Sequence, residues 1–235
     1  MEVIVSGGTG AFDAPLPRPP RHLRAGVAHV PGFLSFDEQR GLVDQSREIA
    51  RSVAGTPVAM ARPVVGSGQM SVHTLSLGQF WAANPYRYVT SVGGVDAAPI
   101  PLAWSELAQR ALVAAADIAP ELVPWATGEF RAEAALVNYY APDARMGLHV
   151  DANEESTAPV ISLSIGDEAL FRIGHTEGRT RPWNDVTLMS GDLIVFGGPA
   201  RWAYHGVPAI RPDTAPAGCG LREGRMNITI RQVGL

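Results

Sequence analysis

The spacing of hydrophobic positions changes twice along the chain. Residues 1–28 are rich in Gly, Pro and Ala and keep no sustained period, which predicts a partly flexible lead-in. From Ser35 onward Leu42, Val43, Ser46, Ile49, Ala50 and Val53 fall on one helical face, and Ser35-Phe36-Asp37-Glu38 has the spacing of a capping box. A helix of about 16 to 18 residues follows from that pattern. A second helix is predicted over Trp104–Ala116, ending before Pro120, with Leu107, Ala111, Leu112 and Ala115 facing inward. Between the two, residues 54–100 alternate short apolar runs with Gly, Ser and Pro, which suits hairpins or a lid better than core strands. Aromatic side chains are dense there: Phe80, Trp81, Tyr86 and Tyr88.

From Glu133 the period shortens to two. Strands are predicted near 133–140, 146–150, 159–165, 169–174, 185–189, 192–197, 202–207 and 225–232. Such a succession without long helices points to a jelly-roll barrel. The expected fold is mainly β with flanking helices (α+β): a lead-in over 1–28, an extension over 29–130 that carries both helices and the lid, and a barrel core over 131–235.

Composition narrows the chemistry. The chain has 235 residues, 46% of them hydrophobic and 18% charged, enough for a single well-buried catalytic unit. The first residues lack a basic start followed by an apolar run and hold Pro15, Pro17, Pro19 and Pro20, unlike a signal peptide. No apolar stretch approaches the roughly 20 residues needed to span a bilayer. A cytoplasmic, soluble protein with no membrane partner is expected, acting as a monomer. Cys219 is the only cysteine, so intrachain disulfides and multi-thiolate metal sites are excluded and a metal must be held by His and carboxylate. All 19 basic residues are Arg, which removes lysine Schiff-base chemistry and the phosphate-loop lysine. A net charge of −4 argues against indiscriminate coating of polyanions, so any nucleic-acid contact has to be local.

Two patterns carry candidate chemistry. His149 and Asp151 stand at i and i+2 on a strand end, so their side chains share one face while Val150 points away. His205 follows the apolar strand Leu193–Phe196 and a loop. Two histidines and one carboxylate make a facial triad suited to iron(II), with coordination positions left for cosubstrate and O2; the same set also serves zinc, and an isolated His-x-Asp arises by chance in many chains. The second pattern is the strict alternation of Arg225, Asn227, Thr229 and Arg231 against Met226, Ile228 and Ile230. A solvated polar face is the ordinary reading of such a strand. Inside a barrel, two arginines instead need an anion, and a dicarboxylate such as 2-oxoglutarate meets that need. Asn138 and Tyr140 also lie at i and i+2 and offer donors to one side of their strand.

In order along the chain, Asn138-Tyr139-Tyr140-Ala141-Pro142, Leu148-His149-Val150-Asp151, Gly191-Asp192, Gly197-Gly198, His205-Gly206 and Arg225-Met226-Asn227-Ile228-Thr229-Ile230-Arg231 resemble the AlkB family of nucleic-acid dealkylation dioxygenases. The resemblance covers about residues 130–235, and Val30-Pro31-Gly32-Phe33-Leu34 extends it weakly toward the N-terminus. It implies a double-stranded β-helix, His149, Asp151 and His205 as iron ligands, and Asn138, Tyr140, Arg225, Asn227 and Arg231 as the 2-oxoglutarate site, with Arg231 also close to Asp151. It implies oxidative removal of alkyl groups from bases of the 1-methyladenine and 3-methylcytosine type, with 2-oxoglutarate converted to succinate and formaldehyde released. The implied partner is alkylated DNA, single-stranded or with the base flipped, with RNA left open. For the base, the resemblance selects Trp81 as the stacking residue with Phe80 in reserve, and Tyr86, Met70 and His73 as further lid candidates. Asn153 stands where bacterial members often carry a second acidic residue. Arg145, Arg179, Arg181 and Arg201, on loops near the barrel mouth, are candidates for phosphate contacts. Two other readings stay open: a 2-oxoglutarate-dependent hydroxylase of a protein or small molecule, and a non-catalytic nucleic-acid-binding barrel.

Overall fold

The computed structural model describes residues 18–83 and 85–234. Strands β1 (Arg21–Arg24) and β2 (Val27–Val30) come first, followed by helix α1 (Phe36–Ser52). Strands β3 (Val64–Val65) and β4 (Gly68–Gln69) form a small hairpin, and β5 (His73–Leu77) precedes the hairpin of β6 (Phe80–Ala83) and β7 (Tyr86–Val89). After β8 (Ser91–Val92) and β9 (Val95–Asp96) come α2 (Leu102–Ala116) and the single turn α3 (Val123–Ala126). The remaining strands are β10 (Ala134–Tyr140), β11 (Met146–His149), β12 (Val160–Gly166), β13 (Glu168–Ile173), β14 (Asn184–Leu188), β15 (Leu193–Phe196), β16 (His205–Arg211) and β17 (Arg225–Arg231).

These strands make a seven-stranded sheet, β1-β2-β15-β12-β17-β10-β5, facing a four-stranded sheet, β11-β16-β13-β14. The pairing within both is antiparallel, as a jelly roll requires. Alternation along β17 decides what lies on each side. Met226, Ile228 and Ile230 point outward into a core shared with Leu42, Val43, Trp104, Ala108 and Leu112 of the two helices. Arg225, Asn227, Thr229 and Arg231 point between the sheets and are all buried, so the solvated-face reading of this strand does not hold. Strand β12 repeats the division, with Ile161, Leu163 and Ile165 toward the helices and Ser162 and Ser164 turned to the polar side. A second apolar cluster, including Phe171, Ile173, Val186, Ile194 and Phe196, closes the space between the sheets around that polar strip.

Helix α1 matches its expected length and its capping box is complete: the Ser35 N–H donates to Glu38 Oε2 at 2.8 Å and the Glu38 N–H to Ser35 Oγ at 3.3 Å. Helix α2 begins two residues earlier than predicted and buries Trp104 and Ala108 more deeply than Leu107. Trp104 Nε1 donates to Gln45 Oε1 at 2.7 Å, joining the two helices.

Three expectations change. The stretch from Arg21 is not a loose lead-in, because β2 hydrogen-bonds along β15 in the main sheet, in register from Leu193↔Val30 to Phe196↔Val27. The Pro- and Gly-rich surroundings hid a strand too short to show a period; residues 1–17, where the signal-peptide and lead-in readings also fall, lie outside the described residues. Strand β5, assigned to the lid, is a core strand paired with β10. Strand β16 starts at His205 rather than at 202, because a 3-10 turn at Gly198–Ala200 and a loop carry the chain to that point. Among the described residues no helix is long and apolar enough to cross a membrane.

Ile228 sits fully buried at the centre of the helix-facing layer. Ile228→Ala is expected to lower stability by about 3 kcal/mol, read from urea unfolding followed by circular dichroism.

Candidate active site

His149 ends β11 and His205 begins β16, and the two are direct cross-strand partners, with ring centroids 4.4 Å apart. His149 Nδ1 lies 2.9 Å from the Gly147 carbonyl oxygen and His205 Nδ1 lies 3.0 Å from that of Ala203. A carbonyl only accepts, so each Nδ1 carries a proton and Nε2 is the nitrogen left to face a metal. These Nε2 atoms lie 3.7 and 3.5 Å from the Asp151 carboxylate, and one ligand atom from each of the three residues falls within 4.8 Å of the others. Asp151 Oδ2 is buried without a hydrogen-bond donor in line; Arg231 Nη2 is 2.7 Å away but off the bonding direction. An orphaned carboxylate oxygen between two imidazole nitrogens fits a divalent cation such as iron(II). Enclosure, and then His205 alongside, push the His149 imidazole down, keeping it in the neutral form a ligand needs. Burial works to raise the Asp151 carboxyl, yet Arg231 and then His205 hold it well below the usual carboxylate range.

Behind Asp151 lies a network in which sequence reasoning placed Arg231 but missed Glu154, Tyr88 and the part played by Arg201. Glu154 accepts from Tyr88 Oη at 2.7 Å, from Arg231 Nη1 at 2.9 Å and from Arg201 Nη2 at 3.1 Å. Arg231 Nη1 also donates to Tyr88 Oη at 2.8 Å. Arg201 donates further to the main-chain oxygens of Asp151 at 2.8 Å and Ala158 at 2.7 Å. Arg201 is therefore not a phosphate contact, since it is buried and its donors are engaged within the barrel. Burial pushes the Tyr88 hydroxyl up, so it stays protonated and donates. Nothing in the spacing marks Glu154 or Arg201, because each finds its partners in distant segments.

Arg225 is different. Its Nη2 donates to Ser164 Oγ at 2.9 Å, while Nε and Nη1 are buried with no hydrogen-bond partner. Its guanidinium carbon stands 5.1 Å from the Tyr140 ring centre, and among the described residues no carboxylate pairs with it. The expectation of two uncompensated arginines is thus corrected to one: Arg231 is neutralised by Asp151 and Glu154, and Arg225 is left as the cation that fits a carboxylate. Asn138 and Asn227 line the same cavity. Asn227 Nδ2 donates to Ser162 Oγ and the Leu163 oxygen at 2.8 and 3.0 Å, so its N–H groups are used within the wall. Asn138 Nδ2 makes one bond, to Asn227 Oδ1 at 3.3 Å, and keeps a second hydrogen.

Comparison with known proteins agrees with this arrangement. Residues 26–231 match the 2OG-Fe(II) oxygenase superfamily. The alpha-ketoglutarate-dependent dioxygenase AlkB homolog of Caulobacter vibrioides (strain NA1000 / CB15N) is 35% identical over 215 residues, which cover 86% of this chain and 85% of that protein. The chain belongs to the AlkB family. The DNA N(6)-methyladenine demethylase ALKBH1C of Arabidopsis thaliana is 29% identical over 226 residues, covering 89% of this chain and 49% of its own, so the chain spans about half the length of that relative. The solved structure of OsALKBH1 superposes with a TM-score of 0.79 at 29% identity, covering 91% of this chain and all of that one. The cofactor set of this oxygenase family, iron(II) and 2-oxoglutarate with O2, matches the triad and the Arg225 floor.

In this AlkB-family chain the triad, Arg225 and Arg231 open into a cavity of about 520 Å³ whose lining includes Met70, Trp81, Tyr86, Asn153 and Arg179 from among the predicted substrate contacts. Trp81 stacks on Tyr86 with ring centres 5.9 Å apart and planes 26° from parallel, and its Nε1 donates to Asn153 Oδ1 at 3.3 Å. Arg179 lies over the Tyr204 ring at 5.8 Å. Phe80, His73, Arg145 and Arg181 are not in the cavity wall, and the His73 ring sits 6.5 Å from that of Tyr139 instead. A second cleft of about 730 Å³, between α1 and the outer side of β10, holds none of the triad or the arginine floor.

Gly206 follows His205 with no room for a side chain: a Cβ there would meet the carbonyl oxygens of Met146 and Gly147 at 2.8 Å. Gly206→Ala is expected to pry β11 from β16 and weaken metal binding by about tenfold or more, measured by calorimetric titration with Co(II) in place of iron. Arg225→Ala is expected to raise the 2-oxoglutarate concentration for half-maximal succinate formation by at least about tenfold.

Proposed function

We propose that this chain removes alkyl groups oxidatively from N-alkylated bases of the 1-methyladenine and 3-methylcytosine type in DNA, as a repair enzyme acting on single strands or on a base turned out of its stack. The observation that carries the reading is the position of Trp81 and Tyr86: a flat aromatic wall faces the same cavity as the His149, Asp151 and His205 triad and the Arg225 floor. A planar nucleobase fits such a wall, and stacking on an aromatic ring is worth about 1–3 kcal/mol per base. The Caulobacter and Arabidopsis relatives, named as an AlkB homolog and a DNA demethylase, support a nucleic-acid substrate.

His149, Asp151 and His205 would hold iron(II), and Arg225 with Tyr140 and the spare Asn138 N–H would hold 2-oxoglutarate. Together with O2 these supply a C–H oxidation in which one oxygen atom enters the alkyl carbon and the other enters succinate as carbon dioxide leaves. A hydroxylated N-alkyl carbon then breaks from the ring nitrogen as an aldehyde, formaldehyde for a methyl group, and the nitrogen recovers its base-pairing form. The protein supplies no nucleophile for this. Its task is to stack the base on Trp81, exclude water with the apolar lining of Met70, Phe171 and Phe196, and keep Asp151 fixed through Arg231. Arg179, exposed at the mouth, is placed for a flanking phosphate.

The test is a single-stranded oligonucleotide carrying 1-methyladenine or 3-methylcytosine, incubated with iron(II) and 2-oxoglutarate and followed by mass spectrometry. Loss of the methyl group with matching formaldehyde and succinate is expected, and none of the three in His149→Ala. Succinate formed steadily while every methylated base survives would transfer the reading to a protein or small-molecule substrate.

A further inference from the structure

One aromatic ring in the cavity wall has a face that the proposed reaction does not use. Strands β6 and β7 pair Trp81 with Tyr88 and Ala83 with Tyr86, so Trp81, Tyr86 and Tyr88 share one side of the hairpin. Tyr88 lies at the inner end, bonded to Arg231 and Glu154, whereas Tyr86 is two residues nearer the end where β6 passes into β7. Trp81 stacks on Tyr86 with ring centres 5.9 Å apart and planes 26° from parallel. A base between them would need two stacking distances, roughly 7 Å, so none fits there. Each ring therefore has one face left. That of Trp81 looks toward the inner end of the hairpin, where Arg231 meets Asp151. Tyr86 is 52% exposed, and its hydroxyl has no hydrogen-bond partner among the described residues. Packing accounts for one side of its ring and leaves the other, flat and apolar, turned to water.

We infer that Tyr86 is a second base platform: while Trp81 carries the alkylated base on its inner face, the outward face of Tyr86 stacks an undamaged base of the same strand. This rests on the base-dealkylation reading and extends it from one nucleotide to a stretch of strand. With both rings between them, the two bases stand about 13 Å apart. Neighbours in a duplex strand are about 3.4 Å apart along the axis, so a strand that stays stacked cannot supply both. An unpaired, extended strand can. Every base has a π face, so the platform registers the presence of a flanking base more than its identity. On a chain of net charge −4, stacking also supplies affinity that neutralisation of phosphates does not.

The experiment uses single-stranded oligonucleotides carrying one 1-methyladenine, in which each of the two nearest bases on either side is replaced in turn by an abasic site. Demethylation kinetics, and dissociation constants by fluorescence anisotropy with Co(II) in place of iron, are measured for the native chain, Tyr86→Phe and Tyr86→Ala. In the native chain one abasic position is expected to weaken binding and lower kcat/KM by about fivefold or more, mainly through KM. Tyr86→Phe, which keeps the ring, retains that dependence. Tyr86→Ala is expected to bind the intact strand about fivefold or more weakly and to treat intact and abasic strands alike within about twofold. A native chain indifferent to every flanking abasic site overturns the inference. So does a uniform fall in Tyr86→Ala with the dependence intact, which would make Tyr86 only a prop for Trp81. Strand binding that depends on Tyr86 without removal of any methyl group defeats base dealkylation and leaves the platform standing, a separate and recognisable outcome.

Discussion

The site depends on a cluster of four buried charges, Arg231 and Arg201 against Asp151 and Glu154. Buried ions persist only when each finds its partners, and deleting one member of such a set leaves an uncompensated charge at a cost of about 3–5 kcal/mol. Here the four charges come from three places, the end of β17, the loop after β11 and the turn after β15, and the Tyr88 hydroxyl ties in the lid strand β7. Asp151 is held at both its carboxylate and its main-chain oxygen, by Arg231 and Arg201 respectively. The fold is drawn together at the point where a metal-binding carboxylate must not drift.

Charge balance also explains the floor. The four-charge cluster is neutral as a whole, so among the described buried residues of the cavity Arg225 is the cation left without an acidic partner. A divalent cation added at the triad leaves the cavity strongly positive. A small dianion held by Arg225 beside the triad would answer both demands at once, joining two features that are separate in the chain.

Much of this was legible in the sequence, for a physical reason. The alternation in Arg225–Arg231 reports directly which residues look inward, because a strand in a barrel has no third direction to offer. His149 and Asp151 were readable for the same reason, being two apart on a strand end. The resemblance to the AlkB family then attached roles to those positions and brought in Trp81. What was not legible depends on pairing through space. Glu154 and Arg201 look like ordinary surface residues until they are found buried and bonded to each other. Likewise β2 and β5 are short and set among Gly, Pro and Ser, so their place in the main sheet comes from the neighbouring strands that they complete. The two arginines of the stripe were alike in sequence, and only the position of acidic partners separates them.

The lid hairpin carries a mechanical consequence. Trp81 lies directly opposite Tyr88 in the ladder of β6 and β7, and Tyr88 is bonded to the same Arg231 that touches Asp151. The Trp81–Tyr86 wall is thereby tied to Asp151 through the β6–β7 ladder and the side chains of Tyr88 and Arg231. In the proposed reaction the same tie would relate the span between the aromatic wall and the triad to the size of the appendage that fits between them.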